Sequence, residues 1–168
     1  MKAPFDFVIE PKGNRYNNTK KVGGKDLILN TEISNHQFIN REAVVKSTPT
    51  AYSTEIKNGD TVIVHHNVFR RWHNQYGIEK NSRSYFNENT YLVKEDQVYL
   101  YKRDNEWKAP KGYCFVQPIK DRTRFGVDEE ESCIGIVKHT DGSYEKEDLV
   151  GFTPFSTYEF IVDGQRLY

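Results

Sequence analysis

The stretch Asn58-Gly59-Asp60-Thr61-Val62-Ile63-Val64 decides the fold class of this chain. Asn and Gly tolerate positive φ, so Asn58 and Gly59 are typical of a tight turn. The residues that follow are β-branched and alternate between faces, with Val62 and Val64 on one side of a strand. The stretch therefore predicts a turn that leads directly into a β-strand.

Short apolar or aromatic runs of the same kind lie on both sides of this stretch. They are bounded by Gly, Asn, Asp or Pro, and no window of about 11 residues has the apolar spacing of an amphipathic helix. Val98 and Leu100 alternate with Tyr99 and Tyr101, and Asp163-Gly164 is a second turn dipeptide. The sequence therefore predicts an all-β chain.

The order of these segments repeats, which indicates two tandem modules. The full copy comprises residues 5–11, 43–46, 58–64, 90–93 and 98–101, and the shortened copy comprises 114–119, 133–138, 147–152 and 158–162. Asp60 and Asp148 take equivalent turn positions in the two copies. We expect modules at 1–103 and 113–168, joined by a polar linker at 104–112 whose Trp107 packs against one module.

Composition restricts the class of protein. The 168 residues carry 24 basic and 24 acidic side chains, so no net charge draws the chain to nucleic acid or membrane, although Arg70, Arg71 and Arg83 hint at a local basic patch. No apolar run approaches the roughly 18 residues of a membrane span, and the N-terminus lacks a signal-peptide core. Cys114 and Cys133 lie in strand patterns, which favours reduced thiols and a reducing, cytoplasmic compartment.

Catalytic and metal sites are not indicated. The motifs of serine hydrolases, zinc proteases and phosphate-binding loops are missing, and the acidic run 128–131 is typical of a solvated loop. His65 and His66 should point to opposite faces of a strand, and pairing either with His73 leaves no Cys, Asp or Glu at ligand spacing. We therefore expect a protein that is not an enzyme and holds no metal or cofactor.

The connection from residue 12 to about 42 is the anomaly of the first module, because a loop of roughly thirty residues inside a compact domain is usually functional. It opens with a polar stretch, yet carries three consecutive aliphatic residues, Leu27, Ile28 and Leu29. One interpretation is an extra strand or hairpin that covers the module. The other is an apolar tip that docks into a partner's groove and becomes ordered there.

A second candidate is the aromatic and basic segment Phe69-Arg70-Arg71-Trp72. Arg and aromatic residues are enriched at protein interfaces, so these four could form a subunit interface. Alternatively, Phe69 and Trp72 cap the core of the first module. The residue types alone leave both interpretations open.

The first copy resembles a subunit of the GroES-like co-chaperonin family. The likeness rests on an opening strand at 7–10, a glycine pair with an aliphatic triplet in residues 23–31, a return strand at 40–45, the stretch 57–64, and a closing pair at 90–100. It covers roughly residues 4 to 102 and is weaker over 113–168. Two departures stand out: Lys25 and Asp26 separate the glycines from the triplet, and residues 65–77 are longer and more aromatic than in the family.

The resemblance implies two tandem GroES-like β-barrels, the second shortened, that assemble as a homo-oligomeric ring. Its partner-binding loop would comprise Gly23, Gly24, Leu27, Ile28 and Leu29, and would dock onto a chaperonin ring that itself hydrolyses ATP. Tandem modules and an Asn- and Tyr-rich composition suggest, by analogy, a divergent bacteriophage member acting in the host cytoplasm.

The alternative is a structural decoration or adaptor protein of a bacteriophage virion, whose loop clasps a neighbouring capsid or assembly protein. A nucleic-acid-binding barrel that uses Arg70 and Arg71 is disfavoured by the zero net charge.

Overall fold

The chain forms two compact units, Met1–Glu106 and Trp107–Tyr168. The structure is a computed structural model that describes residues 1–33, 35–120 and 130–168, so Asp128 and Glu129 of the acidic run lie outside the described residues. The described residues contain β-strands and short 3₁₀ helices but no α-helix, which confirms the all-β prediction. None of their helices is long and apolar enough to cross a membrane.

The first unit is built on an antiparallel sheet. Its strands, together with those of two separate hairpins, are β1 (Phe7–Pro11), β2 (Thr19–Val22), β3 (Lys25–Ile28), β4 (Glu42–Ser47), β5 (Thr61–Val64), β6 (Arg71–His73), β7 (Glu79–Asn81), β8 (Tyr85–Asn87), β9 (Thr90–Val93), β10 (Val98–Arg103) and β11 (Glu106–Lys108). The sheet order is β11-β10-β5-β4-β1-β9-β8, and the unit boundary falls within β11. Strands β8 and β11 lie at the two edges of the sheet, and among the described strands each pairs on one side only, so no closed barrel is formed.

One face of this sheet carries the hydrophobic core of the first unit. Val62 and Val64 belong to it, as the alternation of β5 predicts, and Phe69 meets Tyr91 edge-on with ring centroids 4.7 Å apart. Strict alternation fails in β10, because the pairing register with β5 shifts between Val98 and Leu100. Such a bulge adds one residue to a strand, and it brings Tyr101 into the same core cluster as Val98.

The second unit is a smaller set of strands. These are β12 (Cys114–Lys120), β13 (Glu130–Thr140), β14 (Leu149–Gly151), β15 (Phe160–Val162) and β16 (Gln165–Leu167). Strands β12, β13 and β14 form one sheet, and β15 and β16 form a hairpin whose turn is Asp163-Gly164, as predicted. Tyr168 exchanges both backbone hydrogen bonds with Val116, at 2.9 and 3.0 Å, so the hairpin continues alongside β12.

Side chains from both sets of strands pack together in this unit. Phe115 and Phe160 make an edge contact at 5.4 Å, and Leu167 is fully buried. Trp107 is buried in the same unit and its Nε1 donates to Asp163 Oδ2 at 2.8 Å, which confirms that it packs against one module. Cys114 and Cys133 are free thiols.

The repeat is visible in the pairing register of the strands. In the first unit Val8 faces Ser47 and Ile9 faces Val45, with a bulge between the two pairs. In the second unit the corresponding pairs are Phe115 with His139 and Val116 with Val137, and the bulge lies between the same two positions. Pro11 opposite Ala43 then matches Pro118 opposite Gly135.

Gly135 occupies a position that has no room for a side chain. A Cβ added to Gly135 would lie 2.9 Å from both the Cβ and a Cγ of Val116, closer than packed carbons approach. Alanine occupies the equivalent position 43 of the first unit and is fully buried there. The second unit therefore packs its first two strands more tightly at this point than a residue larger than glycine allows.

The turn before the third strand of each repeat has one hydrogen-bonding scheme. Asp60 Oδ2 accepts from the backbone N–H of Lys57 at 2.8 Å, and Asp148 Oδ2 accepts from that of Glu145 at 3.0 Å. The residue before each aspartate has positive φ, +92° at Gly59 and +71° at Glu147. Asp60 and Asp148 therefore hold equivalent positions, as the sequence predicts.

Candidate functional site

The anomalous connection of the first unit contains a β-hairpin, which we call the arm (residues 19–29). Strands β2 and β3 are joined by Gly23 and Gly24, whose φ values are +57° and +79°. Positive φ at both central residues defines the two-residue turn that matches strand twist, and glycine adopts it without steric cost. The glycine pair therefore serves the turn of the arm.

The arm does not cover the core of its own unit. All eight residues of β2 and β3 are exposed, and Leu27, Ile28 and Leu29 have 54, 60 and 48% of their surface accessible. The first interpretation of the sequence was an extra hairpin that covers the module. The hairpin is present, but it does not cover the core. The aliphatic triplet faces away from the interior.

Pairing within the arm distributes its apolar side chains unequally between two faces. Lys20 lies opposite Leu27, and Val22 lies opposite Lys25, so Val22, Leu27 and Leu29 share one face. Ile28 points to the other. Val22, with 55% of its surface exposed, is a site residue that sequence analysis missed. The two-residue glycine turn was the available signal, since it fixes the register of the hairpin.

The base of the arm is fixed to the first unit through Tyr16. This buried tyrosine donates its hydroxyl hydrogen to the Ile33 carbonyl at 2.6 Å and accepts from the backbone N–H of Arg71 at 2.9 Å. The Arg71 guanidinium lies over its ring, 4.9 Å from the centroid. Asn40 Nδ2 donates to the Asn14 carbonyl at 2.9 Å. The arm is thus an exposed hairpin on an ordered root.

The four residues of the predicted interface segment 69–72 differ in burial. Phe69 is fully buried in the core cluster, so a subunit-interface role for it is wrong. The physical reason is the 3₁₀ helix His66–Val68, which turns the chain after β5 and directs both Val68 and Phe69 inward. The alternative prediction, that Phe69 and Trp72 cap the core, is thus confirmed for Phe69 only, since 42% of the surface of Trp72 is exposed. Arg70 is partly exposed.

The two predicted site segments meet at a groove of about 600 Å³. Its lining comprises Thr31, Glu32 and Ile33 from the C-terminal end of the arm connection, and Arg70, Trp72 and His73 from the interface segment. The structure therefore brings Arg70 and Trp72 next to the root of the arm. The apolar face of the arm lies beyond this groove, on the hairpin itself.

The histidines also differ from expectation. Strand β5 has ended before His65, so the rings of His65 and His66 lie side by side with centroids 4.2 Å apart, and His36 lies 5.5 Å from His66. Burial, aided by His65 and Arg41, lowers the pKa of His66 to about 4. Within residues 1–33, 35–120 and 130–168, no three His, Cys, Asp or Glu side chains are grouped to hold a metal.

No model of a protein family, no curated protein and no solved structure matches the chain. The GroES-like resemblance therefore remains an expectation from sequence. The functional argument rests on the exposed arm and the surfaces beside it.

Proposed function

We propose that this protein acts by binding, without catalysis, and that it presents the arm to apolar grooves on an oligomeric partner. The observation that carries the proposal is the exposure of Val22, Leu27 and Leu29 on one face of a hairpin. When a partner covers large aliphatic side chains that were exposed to water, their apolar surface is buried and the free energy of the complex is lowered.

The energetics require several arms to act together. Complete burial of an aliphatic side chain is worth roughly 1.5–3 kcal/mol, so covering the exposed half of three contributes about 3–4 kcal/mol. That corresponds to a dissociation constant of about 1–6 mM, before the cost of association is counted. A homo-oligomer whose arms reach one partner multiplies this weak contact by avidity while each arm can still detach.

A chaperonin ring is the partner we propose first. It rests on the resemblance to GroES-like co-chaperonins, in which a loop with a glycine pair and an aliphatic triplet docks onto the ring. In this proposal the two units are GroES-like modules, and the chaperonin supplies all ATP binding and hydrolysis. The arm residues that contact it are Val22, Leu27 and Leu29, with Gly23 and Gly24 forming the turn.

The folded state of the arm favours a second candidate, a structural adaptor in a virion or similar assembly. Hydrogen bonding continues past β3, where the Leu29 N–H donates to the Asn18 carbonyl at 2.7 Å. A hairpin that is already folded loses little conformational entropy on binding, which suits a lasting contact with a neighbouring assembly protein.

The test is to mix the purified protein with a double-ring chaperonin and ATP, and to measure complex formation by sedimentation. We expect a complex with the unaltered chain and at least a tenfold loss of affinity in Leu27→Ser/Leu29→Ser. Ile28→Ser is the matched control, because it removes an equally exposed aliphatic side chain from the opposite face. It should lower affinity by less than about threefold.

Two results separate the candidates. Absence of any complex with the unaltered protein rejects the chaperonin proposal and leaves the structural adaptor. Equal losses in Leu27→Ser/Leu29→Ser and Ile28→Ser contradict binding through one face of the arm. Equal free energies of unfolding for all three proteins would ensure that lost binding is not lost folding.

A further inference from the structure

A second cavity, of about 310 Å³, lies on the first unit and shares Arg70 and Trp72 with the groove at the root of the arm. Its lining surface is about equally polar and apolar and comprises Asn67, Arg70, Trp72, Ser82, Arg83, Ser84 and Gln97. The volume is at the lower end of the range for small-molecule sites, which combine an apolar wall with a few placed polar groups.

Two guanidinium groups at this cavity, those of Arg70 and Arg83, form no ion pair with any carboxylate in the described part of the chain. Among the ion pairs of the described residues, Arg71 is held by Glu79 at 3.2 Å and Arg15 lies 3.7 Å from Glu88, but none involves Arg70 or Arg83. Arg70 Nε is in addition buried without an acceptor in the described part of the chain. A guanidinium without a paired carboxylate can form charge-assisted hydrogen bonds to an anion.

The wall of the cavity includes a flat aromatic surface. Trp72 has 42% of its surface exposed, although tryptophan is usually covered in a folded domain. An exposed indole beside arginines offers a platform on which a planar ring can stack, worth about 1–3 kcal/mol per nucleobase. The amides of Asn67 and Gln97 add hydrogen-bonding groups at the rim of the same cavity.

We propose that this cavity binds a nucleoside phosphate, with the base stacked on Trp72 and the phosphate oxygens accepting from Arg70 and Arg83. The charge of the unit agrees, because residues 1–106 contain 16 Lys and Arg against 13 Asp and Glu, a net charge of +3. The ligand chemistry is shared by a free mononucleotide and by one residue of a single strand. Arg70 and Trp72 also line the groove at the root of the arm, but the arm variants do not alter them, so failure of this proposal and failure of the docking proposal are separate outcomes.

The experiment titrates the protein with AMP, adenosine, inorganic phosphate and an oligothymidylate of about eight nucleotides, by calorimetry and by tryptophan fluorescence, with the Trp72→Leu variant giving the signal of Trp107 alone. AMP should bind more tightly than adenosine or phosphate alone. Arg83→Gln and Trp72→Leu should each weaken AMP binding about tenfold. Lys57→Gln, which removes an exposed positive charge of the same unit outside this cavity, should change it by less than about twofold.

The arms of the experiment also identify the source of the ligand. Oligothymidylate binding that is tighter than AMP binding and falls steeply with salt indicates a single strand, whereas equal affinities indicate a free nucleotide. Absence of binding by AMP and oligothymidylate at millimolar concentration overturns the proposal. Phosphate binding as tight as AMP binding, unaffected by Trp72→Leu, would equally overturn it.

Discussion

At the scale of single residues, the aspartates of the two equivalent turns differ in burial and in ion pairing. Asp60 is buried, and besides the turn N–H its carboxylate accepts from Arg103, with Nε 3.1 Å from Oδ1. Asp148 makes the same turn contact but is exposed. The second copy is therefore an internal control for the cost of the buried ion pair in the first.

Asp60→Asn should lower the free energy of unfolding of the first unit by about 2 kcal/mol, because it keeps the turn acceptor and leaves Arg103 without its carboxylate. The figure is below that for a fully buried pair, since part of Arg103 is solvated. Asp148→Asn should cost less than about 0.5 kcal/mol. Urea denaturation of both variants measures the difference, and equal losses would contradict a special role for the ion pair.

Phe155 is the second residue of note, because a bulky side chain is held in left-handed backbone geometry. Its φ is +63° and its side chain is fully exposed, in a turn closed by Ser156 N–H donating to the Thr153 carbonyl at 3.2 Å. Gly or Asn normally takes such a position.

Phe155→Asn should raise the free energy of unfolding of the second unit by about 0.5 kcal/mol, because Asn tolerates positive φ and no buried contact is lost. Thermal unfolding followed by circular dichroism provides the measurement. A loss above about 1 kcal/mol in Phe155→Asn would show that the aromatic ring has a structural role.

At the scale of elements, the 3₁₀ helix after β5 places ionisable rings together. His36, His65 and His66 are neighbours, and Arg41 and Arg70 also disfavour a proton on His66. A proton bound by His66 is repelled by the positive charges of Arg41 and Arg70, and by those of His36 and His65 when they are protonated. The element is therefore most stable when its imidazoles are neutral.

The free energy of unfolding of the first unit should fall as pH is lowered from about 6.5 towards 4. The sign follows from the pKa of His66, which is about 4 in the folded chain against 6.5 when unfolded, so the unfolded chain binds more protons in this range. His66→Gln should make stability less dependent on pH between these limits. Denaturation midpoints at several pH values test this, and an identical slope in the variant would reject it.

Elements that depend on local sequence could be predicted, and those that depend on register could not. The turns at Gly59 and Asp163-Gly164 follow from residues that adopt positive φ, and the repeat follows from the order of strands. The bulge in β10 depends on pairing with a distant strand. The burial of Phe69 depends on where β5 ends, and the exposed face of the arm depends on the register of its hairpin.

At the scale of the whole molecule, the net charge is zero, but the two units have net charges of opposite sign. The first unit has a net charge of +3, and residues 107–168 contain 8 Lys and Arg against 11 Asp and Glu, a net charge of −3. The expectation that nucleic acid is disfavoured relied on the zero total. That reason does not apply to the first unit, which contains both the arm and the cavity at Trp72.

The independence of the two cores leads to a test of the second. Gly135→Ala should lower the stability of that unit by about 1–3 kcal/mol, because the added methyl overlaps Val116. Amide hydrogen exchange should speed up in β12, β13 and β14. Exchange in the strands of the first unit, followed in the same experiment, should not change, and loss of protection there would contradict two separate cores.

Gly135 also limits how far the two copies can exchange sequence. In the first unit Ala43 lies in the same core cluster as Ile9, which holds the position that Val116 holds in the second unit. In the second unit a methyl group at position 135 would overlap Val116. The two repeats are therefore not interchangeable at this position, although their strands pair in the same register.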